Sequence, residues 1–210
     1  MIDTNNSANR LRSADLLVVV GPSGSGKSTL INLLRTEFPK LFGYSVSHTT
    51  RPMRHGEEHG TSYNFVSTEE FQQLADRGEF LEHASVHDTC YGTSKSSVQR
   101  VLAEDRVCLM DLDLKGAESL KKNPSLRCIV IFVVAPSFSI LESRLRGRGT
   151  ETEEKIQKRL ADGMTWVKWA DEHKSYFATY LVNDELMTCY QAFRECVMTS
   201  AFKQAVVNSR

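Results

Sequence analysis

The chain has 210 residues, with 26 Lys plus Arg against 26 Asp plus Glu. That length buries one good core, and the even charge excludes a global basic excess of the kind that draws proteins onto nucleic acid or anionic membrane, so any anion site has to be local. No apolar run approaches the roughly 20 residues of a membrane span, and Met1 to Arg12 lacks the apolar stretch of a signal peptide, which sets a cytoplasmic protein as the expectation.

In chain order, residues 1–14 are expected to be a flexible tail. Leu16 to Val20 (LLVVV) is short, β-branched and stopped by Gly21, as in a strand buried on both faces. A glycine-rich turn follows, then a helical apolar stripe through Leu30, Ile31, Leu33 and Leu34, ending before Pro39. Strand-like runs recur at Val107–Met110, Cys128–Val134 and Tyr180–Val182, separated by stretches long enough for helices, which implies a parallel α/β sheet. Two stretches break the alternation and read as inserts: Ser45 to Tyr91, rich in hydroxyls, His, Gly and Arg, and Ser143 to Lys158, dense in charge. From Glu151 a helix is expected with Ile156, Leu160, Met164 and Val167 on its apolar face. The last helix is expected over Glu185 to Gln204. Cys90, Cys108, Cys128, Cys189 and Cys196 show no CxxC spacing and read as reduced packing residues.

Gly21-Pro22-Ser23-Gly24-Ser25-Gly26-Lys27-Ser28 fits G-x-x-x-x-G-K-[ST], and it lies between a buried strand and a helix, as that motif requires. The glycines let successive N–H groups converge on phosphate oxygens and the helix N-terminus adds favourable potential. Lys27 then neutralises the transferring group, and Ser28 is placed to ligate Mg²⁺. Ser45 to Arg54 brings hydroxyls and two arginines into ten residues. Arginine forks match phosphate bidentately, but on composition a solvated loop fits as well, and that choice stays open. Asp111 and Asp113 follow an apolar run, at the carboxyl end of a strand, where open α/β sheets bind ligands. The six histidines show no metal-binding spacing, and no Ser-His-Asp or Cys-His signature occurs.

GPSGSGKSTL, FGYSVSHTTRPMRHGE, YNFVS, EFLEHA, YGT, LMDLDLKG and RLRGRGTETEEKIQKRL stand in this order over Leu16 to Asp184, and together they resemble the guanylate kinases. The resemblance implies an α/β fold, a P-loop parallel sheet flanked by helices, with an inserted GMP-binding region and a helical lid. It implies one domain over 15–210: core at 15–45, 94–136 and 160–210, GMP-binding region 46–93, lid 137–159. By the same resemblance Gly21, Ser23, Gly24, Ser25, Gly26, Lys27, Ser28, Thr29, Arg144, Arg148 and Asn183 bind ATP. Ser47, Arg51, Arg54, Tyr63, Glu82, Tyr91, Thr93 and Asp113 bind GMP; Ser28 and, through water, Asp111 serve the metal; Lys27, Arg51, Arg148 and Arg159 are catalytic. An ionised carboxylate at Glu82 accepts from the adjacent N1–H and amino donors of guanine, which adenine lacks. A turn aspartate that caps the next helix competes with the base-reading role of Asp113.

The activity implied is transfer of the γ-phosphoryl group of ATP to GMP, with Mg²⁺, in a monomer without nucleic-acid or membrane partners; dGMP is left open as a second acceptor. Two rivals remain: a non-enzymatic guanylate-kinase-like interaction module, against which Lys27 and Ser28 speak, and a kinase for another nucleoside monophosphate, against which Glu82, Ser47 and Thr93 speak. The chain departs from the family pattern at His48, at Pro52-Met53, at Ser62 and at Gly163-Met164-Thr165-Trp166. Gly163 is expected to weaken its helix by about 1 kcal/mol relative to alanine, and Trp166 and Trp169 read as packing residues rather than a base-stacking platform.

Overall fold

The computed structural model describes residues 10–86, 89–147, 149 and 152–204. At its centre is a five-stranded parallel sheet made of β2 (Leu16–Val20), β3 (Phe42–Tyr44), β8 (Val107–Asp111), β9 (Cys128–Val134) and β10 (Thr179–Val182), in the order β10-β9-β2-β8-β3. Every residue of β2 is buried because helices cover both faces. Leu17 and Val19 face α1 (Lys27–Glu37) and α7 (Leu186–Ala201), meeting Leu30, Leu34, Phe193 and Val197. Leu16, Val18 and Val20 face the opposite layer, meeting Val98 of α3 (Lys95–Ala103), Leu114 and Leu120 of α4 (Leu114–Lys121), and Ala170 of α6 (Glu153–Glu172). Burying each such aliphatic side chain contributes about 1.5–3 kcal/mol, and the unbroken apolar run follows from being covered on both sides.

Between β3 and α3 the chain builds a second sheet from β4 (His48–Thr49), β5 (Asn64–Phe65), β6 (Phe80–Val86) and β7 (Thr89–Ser94), in the order β5-β4-β7-β6, crossed by α2 (Thr68–Asp76). α2 starts on a capping box in which Ser67 accepts from the Glu70 amide and the Glu70 carboxylate accepts from the Ser67 amide. After β9 come α5 (Phe138–Gly147) and α6, joined by Leu141, Leu145 and Ile156 in a small apolar cluster and by Arg146, which pairs with Glu142 and Glu153. The α/β class, with a parallel sheet flanked by helices, answers the expectation.

Three details differ from it. The tail expected over 1–14 is structured from residue 10: β1 (Arg10–Arg12) pairs antiparallel with β11 (Phe202–Gln204), and Ala14 is buried. For the same reason the last helix stops at Ala201, since strand pairing takes over the backbone of the final three residues expected in it. On α6, Met164 is 58% exposed and Gly163 holds the buried position instead. A Cβ on Gly163 would lie 3.3 Å from Leu141 Cδ2 and 3.4 Å from Pro22 Cβ. The glycine is therefore a contact device that lets α6 lie against the glycine-rich turn. All five cysteines are free thiols, and among the described residues no helix is long and apolar enough to cross a membrane.

Candidate active site

The glycine-rich turn leaves the carboxyl end of β2 and runs into α1. Helices α2, α3, α4, α6 and α7 each begin on a side-chain cap, from Ser67, Ser94, Asp113, Thr152 and Glu185. α1 begins on Gly26, in the left-handed region at φ 95° with no side-chain cap and no acidic residue in the first turn. Its first amide donors are left for an anion, with no acidic side chain in the helix's own first turn to compete. A Cβ on Gly26 would fall 2.1 Å from Asn183 Nδ2. Asn183 is buried and donates that amide to the Ser25 carbonyl at 2.8 Å, so its side chain fastens the loop.

Lys27 Nζ donates to the carbonyls of Gly21 at 2.8 Å and Pro22 at 3.1 Å, and lies 3.7 Å from Asp111 Oδ1. Ser28 Oγ donates to Asp111 Oδ2 at 3.1 Å. A hydroxyl and a carboxylate thus converge below the loop, hard oxygen donors of the kind a magnesium ion takes. Asp111 ends β8, beside β2 in the parallel sheet, and that adjacency makes the meeting.

Across one cavity of about 360 Å³ the loop faces the inserted sheet. Of the residues singled out in the sequence, Gly21, Ser23, Gly24, Gly26, Lys27, Ser28, Thr29 and Asp111 line one side, with Ser47, Arg51, Arg54, Tyr63, Glu82, Tyr91 and Asp113 on the other. Ser25 and Thr93 are fully buried behind this lining, and Thr93 Oγ1 is 3.0 Å from Ser47 Oγ. Arg144 and Arg159 are half-buried and do not line it; Arg144 donates to the Asn183 carbonyl at 3.0 Å, and Arg159 sits on α6. Arg148 lies outside the described residues. Asp113 caps α4, accepting from the Gly116 amide at 2.7 Å, and it also lines the cavity.

Glu82 and Thr93 face each other on β6 and β7. Burial pushes the Glu82 carboxyl up to about 7; a hydrogen bond from Thr93 opposes this and the charge of Asp113 adds to it. Tyr63 and Tyr91 stand 6.0 Å apart, ring edge to ring face, and the Arg51 guanidinium lies 4.9 Å from the Tyr63 centroid.

Glu57 was not foreseen as a site residue. Its carboxylate grips the Arg51 fork through two bonds of 2.6 Å and accepts from the Arg54 amide at 2.8 Å. Those bonds hold the Glu57 carboxyl below the usual range, and they fix the direction of an arginine whose side chain is only 10% exposed. The signal available was an acidic residue three positions after the second of two arginines. Glu57→Gln keeps the shape but weakens one half of the fork. The expected result is a rise of about tenfold in KM for the acceptor with kcat changed less than threefold, consistent with losing a charge-assisted bidentate pair; steady-state kinetics over acceptor concentration checks it.

The departures fall beside the site. His48 packs its ring on Phe80, 5.5 Å between centroids, and does not line the cavity; burial lowers its pKa and favours the neutral ring. Ser62 accepts from the Glu58 amide at 3.2 Å in the turn before Tyr63. Trp169 stacks on His173 at 4.3 Å, in keeping with a packing role. Trp166 also packs on the core beneath α6, and in addition lines the cavity.

A glycine-rich loop closing a buried parallel strand and sharing one cavity with an inserted segment that carries Arg51 and Arg54 defines a protein of the P-loop class. The family model described as guanylate kinase matches residues 13–200. The guanylate kinase of Sus scrofa is 45% identical over 181 residues, 86% of this chain and 90% of that one. Guanylate kinase 1 of Oryza sativa subsp. japonica is 45% identical over 179 residues, 85% of this chain, which spans 46% of that longer relative. Among solved structures, the crystal structure of guanylate kinase from Anaplasma phagocytophilum covers 92% of both chains, with a TM-score of 0.65 and 25% identity. The chain belongs to the guanylate kinase family.

Proposed function

We propose that this chain transfers the γ-phosphoryl group of ATP to GMP, giving ADP and GDP. The observation that carries the reading is the single cavity in which the glycine-rich loop, with Lys27 and Ser28, faces Ser47, Arg51, Arg54, Tyr63, Glu82, Tyr91 and Asp113. A phosphate oxygen of GMP forms the new bond to the γ-phosphorus as the bond to the bridging oxygen of ATP breaks. That oxygen is already deprotonated at neutral pH, so no general base is needed. Loop amides and Lys27 hold the donor phosphates, Arg51 and Arg54 hold the acceptor phosphate, and Glu82 with Asp113 reads the guanine edge. Catalysis then comes from alignment of two anions and neutralisation of equatorial charge.

Ser28 and Asp111 would hold Mg²⁺, which supplies charge neutralisation at the donor phosphates when bound. Two oxygen donors suit an ion that keeps most of its shell from water and phosphate, and among the described residues no cluster of three or more His, Cys, Asp or Glu offers a fuller cage. Arg148 and Arg159 are assigned to the developing phosphoryl charge, and Arg144 and Asn183 to the donor side, Asn183 by way of the loop it fastens. One chain suffices, since both walls of the cavity belong to it, and the cytoplasm is the compartment we assign. The testing assay is ADP formation from ATP and magnesium with GMP, AMP, CMP, UMP and dTMP supplied separately. Turnover with GMP, and less than about a hundredth of it with the others, is expected. No turnover with any monophosphate, by folded protein that binds nucleotide, would move the reading to the interaction module.

A further inference from the structure

We infer that Trp166 forms an aromatic wall for the acceptor nucleoside, stacking on the purine of GMP, so that α6 contributes to acceptor binding as well as to the lid. The inference rests on the acceptor reading above and adds a residue to it. Trp166 stands three positions after Gly163 on α6, hence on an adjoining part of the same helix face. Gly163 brings that face against Pro22 of the phosphate loop, with van der Waals contact already reached by a Cβ alone. One helical turn on, the Trp166 side chain arrives at the cavity between the loop and the inserted sheet, where it shares the lining with Glu82, Ala84, Leu112 and Asp113. Its other side packs on the core cluster that includes Leu112 and Leu114, so the ring is held in place.

Of the aromatic side chains at this cavity, Tyr63 and Tyr91 pack on each other, and Trp166 lies on a different element from both. Tyr63 has Arg51 stacked on it and Tyr91 at its edge. Among the described residues no ring and no cation is stacked on Trp166. Beside Ala84 and Leu112 the acceptor wall carries polar and charged groups suited to a phosphate and to the donor edge of guanine, and a purine ring held there needs a flat apolar surface. A free indole face in a cavity that carries Glu82 and Asp113 supplies it. Base–aromatic stacking is tolerant of base identity, so Trp166 sets how tightly the acceptor is held and leaves the choice among bases to Glu82.

The experiment has two parts. In Trp169→Phe, Trp166 is the only indole left, because the chain has two tryptophans; its emission is followed as GMP is added. A saturable change with a midpoint near the KM for GMP is expected, and an unmoved emission at saturating GMP would overturn the inference. In Trp166→Ala, KM for GMP is expected to rise about tenfold, in the range of one lost base–aromatic stack, with kcat and KM for ATP changed less than threefold; Trp166→Phe should recover most of the loss. A Trp166→Ala protein that turns over with unchanged KM for GMP sinks the proposal. If that variant fails to fold, the emission titration and the Phe variant still decide. Should the wild type phosphorylate GMP while Trp166 stays silent, only this inference falls; should it phosphorylate no GMP, the acceptor reading falls first.

Discussion

Lys27→Ala lowers kcat for GMP-dependent ADP formation by about 10³-fold, the loss typical of removing one preorganised charge donor from a phosphoryl or acyl transfer site. Nothing else described in the loop replaces it: the ammonium is held by the Gly21 and Pro22 carbonyls and stands 3.7 Å from Asp111. Lys27→Arg does not restore activity, because two carbonyls 2.8 and 3.1 Å away fit a compact ammonium and not a planar fork. ADP release at saturating ATP and GMP measures kcat, and thermal melting confirms that the variants fold. Retention of more than about a tenth of wild-type turnover in Lys27→Ala would refute the role given to it.

Glu82→Gln has the second large effect. The amide keeps the shape of the carboxylate but offers one acceptor and one donor to a guanine edge that presents two donors. A fall of about 10²-fold in kcat/KM for GMP is expected, in line with a lost hydrogen bond to a charged group plus a mismatched one. The pH dependence follows from the carboxyl being raised to about 7 by burial. Binding through the ionised form requires loss of that proton, so KM for GMP falls as pH rises from 6 to 8, by about tenfold, since roughly a tenth of the sites are ionised one pH unit below the midpoint. In Glu82→Gln this arm of the profile is flat.

Stability moves the opposite way. A carboxyl whose folded pKa is raised stabilises the fold most below its unfolded value, and that contribution is lost as pH rises through about 7. Glu82→Gln should therefore be more stable than wild type at pH 8, by up to about 3 kcal/mol, and nearly equal at pH 4.5. Urea unfolding at both pH values measures this. A wild type more stable than the variant at pH 8 would show that Glu82 is not held against its preference. On the role proposed for Glu82, its buried carboxylate would be kept at a cost to the fold, and bound GMP would relieve that cost by supplying two donors.

The central strands and the phosphate loop were legible because their causes are local. Leu16–Val20 and Cys128–Val134 read as strands residue for residue, since burial on both faces leaves no polar position to blur the limits. β3 was missed: three residues with Gly43 in the middle give no run, and its pairing with β8 is what defines it. α2 carries a readable capping box at Ser67 and Glu70 inside the stretch from Ser45 to Tyr91 that reads as an insert. The sequence cannot say whether a glutamate on a polar loop meets solvent or an arginine, so Glu57 appeared only when the turn brought it onto Arg51. Gly163 and Trp166 read in sequence as a weak point of a helix and a packing residue; Trp166 does pack on the core, and it lines the cavity as well. Intrinsic propensity counts a helical glycine as a weakness, but the close passage of α6 over Pro22 makes it the reason the neighbouring indole reaches the cavity.

The pairing of β1 with β11 places Arg10 opposite Gln204, which turns the described chain into a nearly closed ring. The bond from Ser13 Oγ to the Ser200 carbonyl spans 187 positions. Closure entropy grows only with the logarithm of loop length, so closing so long a span costs only modestly more than closing a short one. Phe202, set edge-on against Phe42 at 5.7 Å, ties this seam to the core, so parting the two end strands would also uncover a buried ring.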